Sequence, residues 1–165
     1  MAQWSLDLTE YAKKKNVEIK EVRKAYAFAL YSSIVKNTPV DTGRARGNWN
    51  VSVGSADESV DENITKSQVP SKVKKNQGEL DKANGDESIF ISNNLPYITT
   101  LENGGYPKDV KKGTKVSKKG EKPARYEIRS QGGFSKQAPQ GMVGVTLANN
   151  ENIFNAAVRS VRGEG

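Results

Sequence analysis

The fold is decided by residues 37–49, which have the sequence NTPVDTGRARGNW. Pro39 has no backbone N–H, and its ring disfavours the helical conformation at Thr38. A helix that arrives from the N-terminal side is therefore expected to end near Asn37. Residues 37–49 form the corner at which one element of the fold ends and the next begins.

The residues after Pro39 predict a turn followed by a strand. Asp41 can accept hydrogen bonds from backbone N–H groups about two residues on, and Gly43 can adopt a positive φ, so a tight turn is predicted at 41–43. The strand is predicted at 48–53. Its period of two places three apolar side chains on one face, which we expect to point into the core: Trp49, Val51 and Val53.

Two arginines in the corner have a functional and a structural interpretation. Arg44 and Arg46 lie on the same side of the chain if the strand begins there, and a guanidinium forms bidentate pairs with carboxylates and phosphates. They would then contact a neighbouring subunit or DNA. In the structural interpretation Arg44 pairs with Asp41 or with a helix C-terminus. The sequence favours the structural role for Arg44 and leaves Arg46 open.

The longest helical pattern precedes the corner and extends from Val17 to Lys36. Phe28 and Tyr31 lie beside its main face and belong either to the core, which we favour, or to a contact with a neighbouring subunit. Alternating apolar residues at 4–8 predict a short extended entry before the helix. The main face recurs at steps of three and four residues: Ile19, Val22, Tyr26, Ala29, Leu30, Ser33 and Ile34.

Two polar excursions, at about 54–87 and 106–131, interrupt the pattern of elements. The first contains a weak helical pattern at 71–83 and is either a solvated extension or an arm that reaches the next protomer. Between the excursions the sequence predicts a strand at 88–93 and a helix at 96–104.

The second excursion is rich in Lys and Gly and predicts a flexible hairpin or arm. Its dense positive charge would attract phosphate, whereas two aromatic residues are too few to indicate base stacking. A solvated arm, or one that binds acidic protein, fits equally well. The candidate DNA contacts are Lys111, Lys112, Lys115, Lys118 and Lys119.

The C-terminal segment is ambiguous between a strand and a helix up to residue 148. We predict a helix from about Pro139, a possible break at Asn149-Asn150, and a second helix from Asn152 to Val161.

The composition limits the classes of function. The chain has 165 residues, a net charge of +7, 35% hydrophobic residues and a mean hydropathy of -0.73. It has no Cys and no His, which removes disulfides, thiolates and the commonest general base and metal ligand. We predict a single domain with no enzymatic activity, no cofactor and no bound metal. The N-terminus lacks the features of a signal peptide, and no apolar run approaches the ~18–20 residues of a membrane span, so no membrane association is expected.

Three blocks of this sequence resemble the tail-completion and neck proteins of tailed phages, the family represented by the lambda minor tail protein Z. The first is Thr-Pro-Val-Asp-Thr-Gly-Arg-x-Arg-x-Asn-Trp at 38–49. The second combines Asn-x-x-Pro-Tyr with Leu-Glu-x-Gly at 93–104, and the third spans 134–143. With their flanking elements the blocks cover residues 17–53, 88–104 and 134–161.

The resemblance implies an α+β fold in which a long N-terminal helix and a C-terminal helix pack on a small antiparallel sheet, with long polar loops or arms. It also implies a structural virion protein, assembled in the host cytoplasm, that forms a ring at the neck, where it completes the tail and joins it to the head. Its partners would be further copies of itself, as a hexamer or a dodecamer, together with tail terminator or tube proteins, the head connector and the genomic DNA end. The alternative is a monomeric basic nucleic-acid-binding module, which would bind DNA tightly with a steep salt dependence.

Overall fold

The computed structural model describes residues 2–106, 111–113 and 126–163. The described helices are α1 (Ala2–Asn37), α2 (Arg44–Gly47), α3 (Val69–Glu79), α4 (Ile98–Asn103), α5 (Val143–Ala148) and α6 (Asn150–Arg162). The described strands are β1 (Asn50–Val53), β2 (Ile89–Ser92), β3 (Lys111–Gly113), β4 (Tyr126–Ile128), β5 (Ser130–Gln131) and β6 (Phe134–Ser135). They form three two-stranded antiparallel pairs, β1–β2, β3–β4 and β5–β6. The predicted α+β class is confirmed.

Helix α1 ends at Asn37, as Pro39 predicts, but its start differs from the prediction. The chain is helical from Ala2, so the extended entry expected at residues 4–8 is wrong. Residues 2–37 contain neither Gly nor Pro and are rich in Ala, Glu, Lys and Leu. Helix propensity accumulated over this length outweighs an alternation of only three apolar residues.

The corner is held by the buried hydroxyl of Thr38. Thr38 Oγ1 donates a hydrogen bond to the Ile34 carbonyl at 2.7 Å and accepts one from Trp49 Nε1 at 2.8 Å. Trp49 is buried, as the sequence predicts, and lies in the core with Val51 on β1 and with Tyr31, Ile34 and Val35 on α1. One side chain therefore joins the end of the long helix to the start of the sheet.

The tight turn predicted at residues 41–43 is present, and Gly43 has a φ of 100°. A Cβ at this position would lie 2.4 Å from the backbone nitrogen of Lys66, so the turn also needs glycine for space. A strand does not follow directly. The short helix α2 comes first, and β1 begins at Asn50, two residues later than predicted.

The first polar excursion folds back onto its own chain, which corrects its interpretation as an arm. Helix α3, predicted at 71–83 and observed at Val69–Glu79, contributes the buried Asn76. Asn76 Nδ2 donates to Tyr31 Oη and to the Trp49 carbonyl, both at 2.8 Å. Val69 and Leu80 belong to the same core. A few isolated apolar residues are sufficient to hold this polar segment against the core, because each of them faces α1 and β1.

For the elements after α3, the sequence predicts the type of each element more accurately than its first and last residues. The second strand and the α4 helix are confirmed, and the hairpin predicted in the second excursion is present as the β3–β4 pair. The helix predicted from about Pro139 starts only at Val143. Gly141 explains the delay, because its φ of 77° is incompatible with a helix and a Cβ there would lie 2.5 Å from the Glu102 carbonyl oxygen.

Helices α5 and α6 are separated at Asn149, as predicted, and lie antiparallel along α1. At one end Asn37 Nδ2 donates to Thr146 Oγ1 at 3.2 Å, and at the other Arg162 Nε donates to Glu18 Oε1 at 2.8 Å. Within the described part of the chain, no helix has the length and apolar character needed to cross a membrane.

The bridge through Thr38 leads to a first prediction. Thr38→Val keeps the shape of the side chain but leaves the buried Trp49 N–H without its acceptor, so we expect a loss of about 2 kcal/mol in the free energy of unfolding. Trp49→Phe should also destabilise, and the double variant should lose less than the sum of the two single losses, with a coupling of about 1 kcal/mol.

Denaturant unfolding of the three variants measures this coupling. Thr99→Val, an exposed threonine on α4, is the matched control and should change stability by less than about 0.5 kcal/mol. Strictly additive losses at positions 38 and 49 would show that the hydroxyl does not couple the corner to the indole.

Candidate functional site

The sequence blocks at 38–49, 93–104 and 134–143 contact one another in the fold, at a region that we call the joint. It consists of Asn93, Glu102 and Gln137 together with the backbone segments that these side chains hold. Asn93 Nδ2 donates to the Ala45 carbonyl at 2.9 Å, which ties the start of the second block to α2 in the first.

Gln137 connects the third block to the corner. The Val40 N–H donates to Gln137 Oε1 at 2.8 Å, and Gln137 Nε2 donates to the Val40 carbonyl at 3.2 Å. The amide thus satisfies both backbone groups of one residue in an irregular segment, as a neighbouring strand would. Residues 40 and 137 are far apart in sequence, so this contact is not predictable from local pattern.

Glu102 connects the second block to the third. Its carboxylate accepts hydrogen bonds from the backbone N–H groups of Met142, Val143 and Gly144, at 2.7, 2.8 and 2.7 Å. These donors belong to the first turn of α5, where N–H groups have no partner within the helix. Glu102 therefore acts as a cap supplied from a distant helix, and it fixes where α5 starts.

The two corner arginines have different partners in the structure from those predicted from the sequence. Arg46 donates to the carbonyls at the end of α1, from Nη2 to Lys36 at 3.0 Å and to Thr38 at 2.7 Å, and from Nε to Thr38 at 3.1 Å. Burial lowers the pKa of this guanidinium. The helix-terminus role expected for Arg44 thus belongs to Arg46. Arg44 pairs with Glu62, and Asp41 pairs with Arg129 at 3.2 Å.

A cavity of about 260 Å³ lies beside the joint, between the corner, α4 and the β5–β6 hairpin. Burial raises the pKa of two tyrosines in its wall, Tyr97 and Tyr106. The other lining residues are Pro39, Val40, Asp41, Thr42, Gly43, Arg44, Ala45, Leu101, Arg129, Ser130, Ser135 and Gln137.

The remaining candidate residues are spread over the molecule. Tyr31 is completely buried in the core of its own chain, which confirms the core position favoured from the sequence and rules out the alternative of a subunit contact. Burial raises the pKa of its hydroxyl group. Phe28 is half-buried and packs beside Tyr31, with 6.2 Å between ring centroids. Lys111 and Lys112 lie in β3. Lys115, Lys118 and Lys119 lie outside the described residues.

An apolar groove between α1 and α6 has no counterpart in the sequence-based predictions. Ile19, which the sequence predicts on the core face of α1, is 64% exposed, and Phe154 is 44% exposed. Phe154 packs edge-on against Tyr26, with 5.3 Å between ring centroids. The groove has a volume of about 420 Å³, and Val22 and Val158 complete its apolar lining.

Charged side chains surround one end of this groove. Glu18 accepts hydrogen bonds from Lys15 and Arg162, both at 2.8 Å, and these bonds lower the pKa of its carboxyl group to about 2. Glu18 is therefore ionised at neutral pH and links the end of α6 to α1. The exposed positions of Ile19 and Phe154 could not be read from periodicity, because a helical pattern does not reveal how far along α1 its partner helix extends.

Comparison of the chain with protein-family models, curated protein sequences and solved structures finds no match. Among the described residues no group of three His, Cys, Asp or Glu side chains is arranged to hold a metal ion. Membership of the tail-completion family therefore stays a prediction from the three sequence blocks.

The different environments of Arg44 and Arg46 lead to a second prediction. Arg46→Ala removes the three hydrogen bonds that the guanidinium donates to the carbonyls of Lys36 and Thr38 at the end of α1. We expect the free energy of unfolding to fall by about 2 kcal/mol. Arg44→Ala removes one partly exposed ion pair and should cost less than about 1 kcal/mol. Arg46→Lys should recover only part of the loss, since an ammonium cannot bond two carbonyls with a planar fork.

Urea unfolding of the three variants under identical conditions provides the comparison. Equal losses for Arg44→Ala and Arg46→Ala would contradict the distinction between a helix cap and a surface pair.

Proposed function

We propose that this protein is a structural component of a tailed-phage virion. It forms a ring at the neck, where it completes the tail and joins it to the head connector. The observation that supports this most directly is the joint. Three separated blocks, each chosen for its resemblance to tail-completion proteins, contact one another through Asn93, Glu102 and Gln137.

The polar residues of the joint, together with Arg46 in the corner, support a binding role more than a chemical one. Glu102 and Gln137 each use their side-chain acceptors on backbone N–H groups, and Arg46 uses its donors on backbone carbonyls. Side chains used in this way fix the relative positions of segments. A ring subunit requires such rigidity, because small errors in subunit angle accumulate around a closed assembly.

The α1–α6 groove is the surface that we propose to contact the next copy in the ring. Its two most exposed apolar side chains, Ile19 and Phe154, lie on opposite helices and line one groove. Completing their burial against a neighbour would contribute about 1–2 kcal/mol for Ile19, which is 64% exposed, and about 1 kcal/mol for Phe154, which is 44% exposed. The cavity beside the joint is the second candidate contact, and it suits an extended segment of a tail or connector protein.

The ring proposal yields a third prediction. Ile19→Asp and Phe154→Asp place a charge in the groove and should each reduce incorporation of the protein into particles by about ten-fold or more. Leu147→Asp is the matched control, because Leu147 is 49% exposed on α5 and is not part of the groove lining. Quantitative blotting of purified particles measures incorporation, and analytical ultracentrifugation measures self-association of the free protein.

Three measurements test the groove contact, the position at the neck and the alternative of a nucleic-acid-binding module. Normal incorporation of both groove variants would exclude the groove as the subunit contact. Low-resolution imaging of labelled protein in virions would test the position at the neck independently. A free protein that stays monomeric and binds DNA tightly, with an affinity that falls steeply with salt, would instead favour the nucleic-acid-binding module.

A contact between the lysine-rich excursion and the DNA end is a separate part of the proposal and gives a fourth prediction. Simultaneous replacement of Lys111, Lys112, Lys118 and Lys119 by Glu should lower DNA retention in assembled particles, because it replaces phosphate-attracting charges with repelling ones. The control replaces four lysines of the α3 region, which makes the same change in net charge: Lys72, Lys74, Lys75 and Lys82. Normal retention in the first variant would remove DNA contact from the proposed function.

A further inference from the structure

The loop before β2 contains the dipeptide Asn84-Gly85, which two charged side chains contact from different elements. Lys24 Nζ, from α1, donates to Asn84 Oδ1 at 3.1 Å. The Gly85 N–H donates to Glu87 Oε2 at 2.8 Å. These contacts involve the carbonyl oxygen and the backbone nitrogen that take part when an asparagine side chain cyclises onto the following residue.

We propose that Asn84 is a site of self-catalysed deamidation, assisted by Lys24 and Glu87, which makes it an intramolecular modification site independent of the proposed function. The Gly85 nitrogen forms a bond to Asn84 Cγ while its proton passes to the Glu87 carboxylate. The Cγ–Nδ2 bond then breaks, and Nδ2 takes a proton and leaves as ammonia. Water opens the resulting succinimide ring and leaves aspartate or isoaspartate at position 84, with no change in oxidation state.

Each contacting group has a defined part in this reaction. Lys24 donates to the oxygen on which negative charge develops, and a donor in that position lowers the barrier. Glu87 lies within hydrogen-bond distance of the proton that must be removed, which is the geometric requirement for a general base. Hydrogen bonds from its own N–H and from Gly85 lower the pKa of Glu87, so it is a carboxylate at neutral pH.

The surroundings also permit the reaction. Gly85 has no side chain to hinder the approach of its nitrogen to Cγ. Asn84 is exposed, so water reaches the ring. The Lys24 side chain is only 16% exposed and also pairs with Glu21 at 3.5 Å, so it is held in place rather than free in solvent.

The chain contains an internal control, because Asn103-Gly104 is a second dipeptide of the same type. Asn103 is exposed at the end of α4. In the described part of the chain, no side chain forms a hydrogen bond to its carboxamide or to the Gly104 N–H. The two sites therefore share the dipeptide sequence but differ in the assisting groups and in backbone conformation, because Asn103 ends a helix whereas Asn84 lies in a loop. The variants at Lys24 and Glu87 isolate the effect of the assisting groups.

The experiment follows both sites in the full-length protein at neutral pH and physiological temperature, with peptide mass spectrometry as the readout. Position 84 should deamidate about ten-fold faster than position 103. Glu87→Gln and Lys24→Met should each slow position 84 by about five-fold and leave position 103 unchanged. Glu58→Gln and Lys74→Met, at exposed positions outside this loop, are matched controls and should change neither rate.

The direction of the effect separates assistance from unfolding, because loosening a loop accelerates deamidation whereas loss of assistance slows it. Equal rates at positions 84 and 103 would overturn the proposal. So would an unchanged or faster rate in Glu87→Gln, which would show that the carboxylate protects the Gly85 N–H. A peptide cross-linked between positions 24 and 84 would overturn it too, because Lys24 would then be the nucleophile.

Discussion

A single buried hydroxyl group forms hydrogen bonds to two different elements of this fold. Thr38 is fully buried, so its Oγ1 must be hydrogen-bonded, and it bonds both the end of α1 through Ile34 and the indole of Trp49. Pro39 places Thr38 at this point because it stops the helix there. The long helix and the sheet are therefore fixed relative to each other by geometry as well as by apolar packing.

The same arrangement, a polar side chain that holds distant backbone, recurs through the molecule. Asn76 holds the Trp49 carbonyl from α3, Gln137 holds Val40, and Glu102 holds the start of α5. This explains how a chain with only 35% hydrophobic residues holds α1, α3, α4 and the β1–β2 pair around one core. Each such hydrogen bond contributes only about 0.5–1.5 kcal/mol to stability, whereas leaving its buried partner unsatisfied costs about 1–3 kcal/mol. The hydrogen bonds together therefore favour one arrangement of the segments over others.

Sequence patterns predict the features of the fold that depend on neighbouring residues, but not the side-chain contacts between residues that are distant in the chain. The end of α1, the turn at Gly43 and the burial of Trp49 follow from local stereochemistry and periodicity. The roles of Arg44 and Arg46 do not, because their partners are chosen by where α1 and Glu62 come to lie. Of the candidate site, the three blocks were identified from sequence. Their contacts with one another are long-range, and the groove was missed for the same reason.

The proposed groove contact also bears on the kind of assembly that the chain supports. Covering the exposed fractions of Ile19 and Phe154, 64% and 44%, yields about 2–3 kcal/mol in total, whereas association costs about 4–15 kcal/mol in lost translational and rotational freedom. One such contact is too weak for a stable pair of free subunits. In a closed ring each subunit makes two contacts, and closure adds one contact without immobilising a further subunit. An additional contact at the cavity beside the joint would strengthen this further. Under the proposed function, this balance would favour assembly on an existing tail end over self-association in solution.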